Sequence, residues 1–211
     1  MEYTLIIGTR NWSSWSLRPW LALRHTGAAF AEIVVPLRTA TTTADILRYS
    51  PAGRVPALTI GETTIWDSLA ICETLNERRP EARLWPDDAM TRARARAYAA
   101  EMHSGFGDVR DQLSMDFVRR LPLPVLRDAT RAQIARILAA WEAALGSSKG
   151  GFLFGDFSIA DCMYAPVVSR FTTYGVPVSA RVQAYMEKMM ALPAMQDWAR
   201  ASQAEVDGGL A

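Results

Sequence analysis

The sequence predicts two parts, an α/β domain followed by an all-helical bundle (α/β + all-α). Three observations predict it. Up to residue 78 the segments alternate between short β-rich runs and amphipathic stretches in the order βαβ–ββα. Residues 79–88 then change character, with Pro80, Pro86 and several charges in one short stretch. Beyond them every periodic segment has helical spacing, so one α/β layer is joined to packed helices. The boundaries expected are 1–79 for the first domain, 80–88 for the linker and 89–211 for the helical domain.

Each element has its own reason. Residues 3–8 are short and β-rich. In residues 14–27, Leu17, Trp20, Leu21 and Leu23 recur at helical spacing and Gly27 closes the segment. Residues 32–36 read as a strand ended by Pro36. Residues 41–49 form a short helix candidate capped by Thr42 or Thr43. Strands at 57–60 and 63–65 flank the turn Gly61-Glu62. Residues 67–78 carry Leu69, Cys72 and Leu75 on one face. In the second half, one long helix is expected over 89–118. Another is expected over 124–146, with Ile134, Ile137, Leu138, Trp141 and Leu145 in one stripe. Gly150-Gly151 interrupts the pattern before helices at about 158–172, 179–191 and 193–203, and the tail beyond Glu205 is expected to fray.

Composition narrows the function. Among 211 residues, 23 Lys and Arg balance 22 Asp and Glu, which gives no electrostatic reason to expect nucleic acid or an anionic membrane as partner. The run Arg92, Arg94 and Arg96 reads as a solvated helix face. The two cysteines, Cys72 and Cys162, and two histidines, His25 and His103, have no metal-ligand spacing, so no metal is expected. Two thiols inside apolar segments suit a reducing compartment. The residues from Met1 to Gly8 read as a strand, not a leader, and no run is long and apolar enough to span a bilayer. A cytoplasmic protein is the expectation.

Three short segments carry the chemistry. Val55-Pro56 precedes a strand, where proline removes a ladder donor. Either the bond is cis and frees the Val55 main chain to pair with an extended ligand, or it is an ordinary trans bond opening an edge strand. Asp67-Ser68 opens a helix. Free N–H groups there suit a carboxylate, and Asp67 can hold an ammonium, although the same residues also serve as simple caps. Trp12-Ser13-Ser14-Trp15 lies between the first strand and the first helix, where a hydroxyl and the helix start together favour a thiolate. Capping of that helix is the alternative.

In order and spacing these segments resemble the N-terminal domain of the cytosolic glutathione transferases. VPAL stands where that family carries its cis-proline motif, Asp67-Ser68 where it carries the acidic-Ser pair, and Ser158-Ile159-Ala160-Asp161 where it carries a capping box. SSWSLR is similar to the zeta-class signature SSCxWR, the class of the maleylacetoacetate isomerases. Trp15 replaces its cysteine and Leu17 its tryptophan. Tyr3 begins the first strand instead of ending it, so the resemblance is to the serine type.

The resemblance implies a thioredoxin-like first domain, glutathione as co-substrate and a homodimer with helices 67–78 and 89–118 near the contact. It implies a site built of Ser13, Ser14, Arg54, Val55, Pro56, Asp67 and Ser68. Ser13 is the expected thiolate donor, and Ser14 is the next choice if the alignment slips by one residue. A second-substrate pocket is expected between Trp12 and Trp15 on one side and, on the other, the segment containing His103 and Phe106, with Arg110, Met115 and Phe117. For His103 a packing role is the competing reading. The activity implied is glutathione transfer to a small electrophile. Glutathione-dependent isomerisation or peroxide reduction, and a glutathione-binding module without turnover, are the alternatives.

Overall fold

In the computed structural model, which describes residues 2–211, β1 (Tyr3–Gly8), α1 (Ser14–Thr26), β2 (Phe30–Val35), α2 (Thr42–Leu47), β3 (Ala57–Ile60), β4 (Thr63–Trp66) and α3 (Ser68–Arg78) come first. Met1, the first residue of the stretch read above as a strand, lies outside the described residues. The sheet order is β2-β1-β3-β4. β1 runs parallel to β2 with Tyr3 opposite Phe30, and antiparallel to β3 with Leu5 opposite Leu58. The helix between β1 and β2 supplies the crossover that a parallel pair needs. The expected βαβ–ββα order and thioredoxin-like fold are therefore present.

A 3-10 turn at Pro80–Ala82 leads to the helices α4 (Ala89–Ser104), α5 (Gly107–Gln112), α6 (Asp128–Ser147), α7 (Ile159–Tyr174), α8 (Ala180–Met190) and α9 (Pro193–Asp207). The single helix expected over 89–118 is broken after Ser104. Phe106 has φ 60°, and a Cβ at Gly105 would stand 2.8 Å from the Glu101 carbonyl oxygen. Gly105 therefore ends α4, and a side chain there would collide with that carbonyl. α6 starts at Asp128, four residues later than expected, and α9 continues to Asp207. Thr41, not Thr42 or Thr43, stands at the N-cap position of α2, without a side-chain capping bond, and Thr42 donates its hydroxyl to the Pro36 carbonyl at 2.8 Å.

One apolar core runs through both halves. Leu17, Trp20 and Leu21 of α1 are buried in the same cluster as Ile71 of α3 and Cys162 of α7. Asp161 accepts from the Ser158 N–H at 2.9 Å, closing the capping box of α7. Burial pushes Asp161 up to about 6, against the hydrogen bonds it accepts from the Leu153 N–H and from Ser158. Among the described residues no helix is long and apolar enough to cross a membrane.

Candidate glutathione site

The loop between β1 and α1 is held from several directions. The Thr9 carbonyl accepts from the N–H groups of Trp12 at 3.2 Å and Ser13 at 2.9 Å, which turns the chain into α1. Asn11 receives the N–H of Phe117 on its carbonyl at 3.1 Å and that of Val118 on its side chain at 3.0 Å. The Trp198 indole donates to the Arg10 carbonyl at 3.2 Å, and the Arg10 guanidinium pairs with Glu205 at 2.7 Å. The helical half thus fixes the loop that carries Ser13. Nothing in the sequence singled out Asn11, whose partners lie more than a hundred residues away.

Ser13 is the N-cap of α1 by position, yet its side chain makes no capping bond. Its hydroxyl donates to Ser16 Oγ at 2.7 Å, and Ser16 Oγ also accepts from the Gly8 N–H at 3.1 Å. Ser13, Ser14 and Ser16 are all buried. The capping alternative for Ser13 is not what the structure shows.

A cavity of about 460 Å³ opens nearby, lined by Trp15, Ala52, Arg54, Val55, Pro56, Trp66, Asp67 and Ser68. Ser13 and Ser14 stand at the start of α1 next to Trp15 but do not line it. The Val55-Pro56 bond is cis. Ladder pairing of β3 begins at Ala57, opposite Ile6 and Trp66, so Val55 lies outside the sheet's own bonds. Arg54 is exposed at the rim.

Asp67 adopts φ 78°, a conformation rare for a residue with a side chain. Its Oδ1 accepts from the Leu69 N–H at 2.9 Å, so the capping reading holds for Asp67. Its Oδ2 lies 3.1 Å from His103 Nε2 of α4. The Ser68 hydroxyl is buried and has no hydrogen-bond partner. A buried polar atom without a partner costs about 1–3 kcal/mol, and this one belongs to a residue that lines the cavity at a helix start.

Two guanidinium groups flank Trp15. The Arg18 guanidinium lies 4.2 Å from its ring centre and that of Arg110 5.3 Å away, and the His103 ring meets it edge-on at 5.3 Å. Arg18 is fully buried, with Nε and one terminal nitrogen lacking partners. Burial, with Arg110 nearby, pushes its guanidinium down to about 9. The rest of the expected second-substrate pocket separates. Phe106, Met115 and Phe117 are buried in the common core, and Trp12 instead packs against Arg38 at 4.2 Å. Core burial and a cleft wall both call for apolar side chains, so composition did not distinguish them.

Both cysteines are fully buried, and burial pushes both thiols up, away from reactive thiolates. Among the described residues no group of three or more His, Cys, Asp and Glu side chains is placed to hold a metal ion.

A helix start with an unpartnered buried hydroxyl, beside a cis-proline and a free main-chain segment, is a cradle for the zwitterionic end of an extended peptide. The family models for the glutathione S-transferase N-terminal domain and C-terminal domain match residues 12–78 and 124–201, together more than half of the chain. The chain belongs to the glutathione S-transferase family. The activity expected from the sequence, glutathione S-transferase, is the activity of this family.

This transferase is 26% identical over 171 residues to a probable maleylacetoacetate isomerase of Caenorhabditis elegans, across 81% of this chain and 79% of that protein. It is 32% identical to the maleylacetoacetate isomerase of Rattus norvegicus over 62% of this chain and 59% of the relative. Its fold is similar to that of a glutathione transferase homologue from Burkholderia gl BGR1 solved with bound glutathione. That similarity has a TM-score of 0.74 and 26% identity, covering 96% of this chain and 98% of the other.

Proposed function

We propose that this transferase binds glutathione along the cavity between Val55 and Ser68 and stabilises its thiolate with the Ser13 hydroxyl for attack on a small electrophile. The observation that carries the binding half is the unpartnered buried Ser68 hydroxyl at the start of α3. An α-carboxylate placed there satisfies it and meets the positive end of α3, whose Leu69 and Ala70 N–H groups are already taken by Asp67. The exposed edge of Asp67 faces the accompanying ammonium, the Val55 main chain pairs with the peptide, and Arg54 flanks its rim. Residues 1–79 act in this reading as the glutathione-binding unit, 80–88 as the linker and 89–211 as the helical domain.

The thiol end reaches the start of α1. Glutathione's thiol resembles free cysteine, at about 8.5. Making it mostly thiolate at neutral pH takes a shift of roughly two units, about 2.7 kcal/mol. A helix end supplies about 0.3–1 kcal/mol, and a hydrogen bond to a charged group about 1.5–3. The two together suffice. Ser13 acts by donating its hydrogen bond and keeps its proton. Ser14, adjacent and equally buried, is the alternative donor.

The second substrate lies against Trp15, between Arg110 and His103. A second reading, glutathione-assisted isomerisation, is favoured by the relatives named as maleylacetoacetate isomerases. Trp15 and Leu17, which replace the cysteine and tryptophan of that signature, argue for conjugation. Assaying a panel of electrophiles, cis-dienoic acids and hydroperoxides with and without glutathione separates the readings. No glutathione-dependent turnover of any class, with glutathione bound, leaves the binding-module alternative.

A cytoplasmic homodimer completes the proposal. Trp66 and Met90 are large apolar side chains, 48% and 73% exposed, next to α3 and in α4, and they support an apolar contact there. A monomer in sedimentation at micromolar concentration refutes the dimer.

A further inference from the structure

The Ser16 hydroxyl is fully buried on the first turn of α1 and has an unbalanced set of bonds. It accepts twice, from the Gly8 N–H at 3.1 Å and from the Ser13 hydroxyl at 2.7 Å, and among the described residues no acceptor faces its own proton. A hydroxyl has one proton to donate, and a buried one that goes unspent is a cost. The Ser13 proton, meanwhile, points inward to Ser16 and away from any ligand.

Both features are resolved if the Ser13–Ser16 bond reverses. We infer that Ser16 is a positioning residue for thiolate formation: when glutathione is bound, Ser16 donates to Ser13 Oγ, and Ser13 turns its own proton to the sulfur. The inference rests on Ser13 being the thiolate donor. The standing geometry suits donation from Ser13 to Ser16, so the reversal takes a small rotation of the Ser16 side chain along with the two hydroxyl protons, and no proton leaves either serine. The result is a directed chain, Gly8 N–H to Ser16, Ser16 to Ser13, Ser13 to thiolate. Each bond polarises the next, and every donor in it is spent. The same contact parks the Ser13 hydroxyl in one rotamer, 2.7 Å from its partner, which sets its position for the sulfur. Ser16 touches neither glutathione nor electrophile in this arrangement and acts only through Ser13.

The test follows the thiolate absorbance of saturating bound glutathione against pH in the full-length protein. Ser16→Ala is expected to raise the bound thiol's pKa by about half a unit, with glutathione affinity at neutral pH little changed. In a Ser13→Ala background the same substitution is expected to add no further shift. Ser16→Thr, which restores the hydroxyl, is expected to titrate as the wild type. Should Ser16→Ala not fold, Ser16→Cys, which fills the site but hydrogen-bonds weakly, must show the same rise. An unshifted titration in Ser16→Ala beside a shifted one in Ser13→Ala overturns the role of Ser16 and leaves Ser13 standing. An equal shift in both backgrounds also overturns it, because the effect then does not pass through Ser13. No shift in Ser13→Ala overturns both.

Discussion

His103 Nε2 lies 3.1 Å from Asp67 Oδ2, so α4, the first of the helices that follow the sheet-bearing part, holds the N-cap of α3. Asp67 therefore serves three demands with one carboxylate: it caps α3 through Oδ1, meets His103 through Oδ2, and keeps an open edge toward the cavity. The Asp67 side chain remains 44% exposed. Asp67→Ala is accordingly expected to weaken glutathione binding by about 2 kcal/mol, the lower end for a charged pair, or about thirtyfold in Kd. Titration calorimetry reads this directly. Wild-type protein that binds no glutathione at millimolar ligand contradicts the assignment of the whole cradle.

Ser68→Ala separates ligand recognition from stability. The hydroxyl has no partner in the folded chain, so its removal is expected to leave the melting temperature unchanged or slightly higher. Glutathione affinity is expected to fall about tenfold, for one lost hydrogen bond to a charged group. A parallel loss of stability and affinity marks the hydroxyl as structural.

Ser13→Ala is expected to raise the pKa of bound glutathione by about one to two units, equivalent to about 1.4–2.7 kcal/mol, and to lower turnover about ten- to a hundredfold. Binding at neutral pH changes little, because the contacts at Val55, Asp67 and Ser68 are untouched. An unchanged titration, with the loss appearing in Ser14→Ala, assigns the role to Ser14. No shift in either variant leaves the helix start as the activator.

Arg18 is a buried cation with nitrogens that no group satisfies. Replacing such a charge by an apolar side chain of similar length is neutral or stabilising. Arg18→Met is expected to melt no lower than the wild type, while bound glutathione becomes less acidic because a positive charge near Trp15 is gone. Differential scanning fluorimetry and the thiolate titration together test this. A variant that melts much lower shows that the guanidinium is paired in solution.

Asp161 gives a pH dependence of known sign. Its carboxyl, ordinarily at 3.8, is pushed up to about 6 in the fold. Between those values the folded state holds a proton that the unfolded state has released, so this group's contribution to stability falls as pH rises from about 4 to 6 and is level above. The full difference is roughly 3 kcal/mol. Denaturant unfolding of the wild type and Asp161→Asn across pH 4–7 isolates it: the wild type is expected to lose stability relative to the variant over that window. A gap that widens in favour of the wild type with rising pH refutes the assignment.

Because turn residues, caps and apolar periodicity act over a few neighbours, the sequence determined by itself most of the elements, though not the split of the 89–118 stretch into α4 and α5. The βαβ–ββα order and the Ser158–Asp161 capping box were legible for that reason. So was the pairing of Asp67 with Ser68 at a helix start. The residues alone left Val55-Pro56 open between cis and trans, and only the family resemblance pointed to the cis bond the structure has. Tertiary structure alone decided the rest. The break at Gly105 and Phe106 needed the geometry of the Glu101 carbonyl. The assignment of Phe106, Met115 and Phe117 to the core, with Trp15 left at the cavity, depended on which apolar faces meet. The clamp on Asn11 and the contact of His103 with Asp67 join residues from tens to more than a hundred positions apart. Even the Ser13–Ser16 bond, only three residues long, depends on Ser13 leaving its capping amides unbonded. Local sequence sets what a side chain can do within one turn. Which partner it finds is settled by the packing of elements whose contacts are distant in the chain.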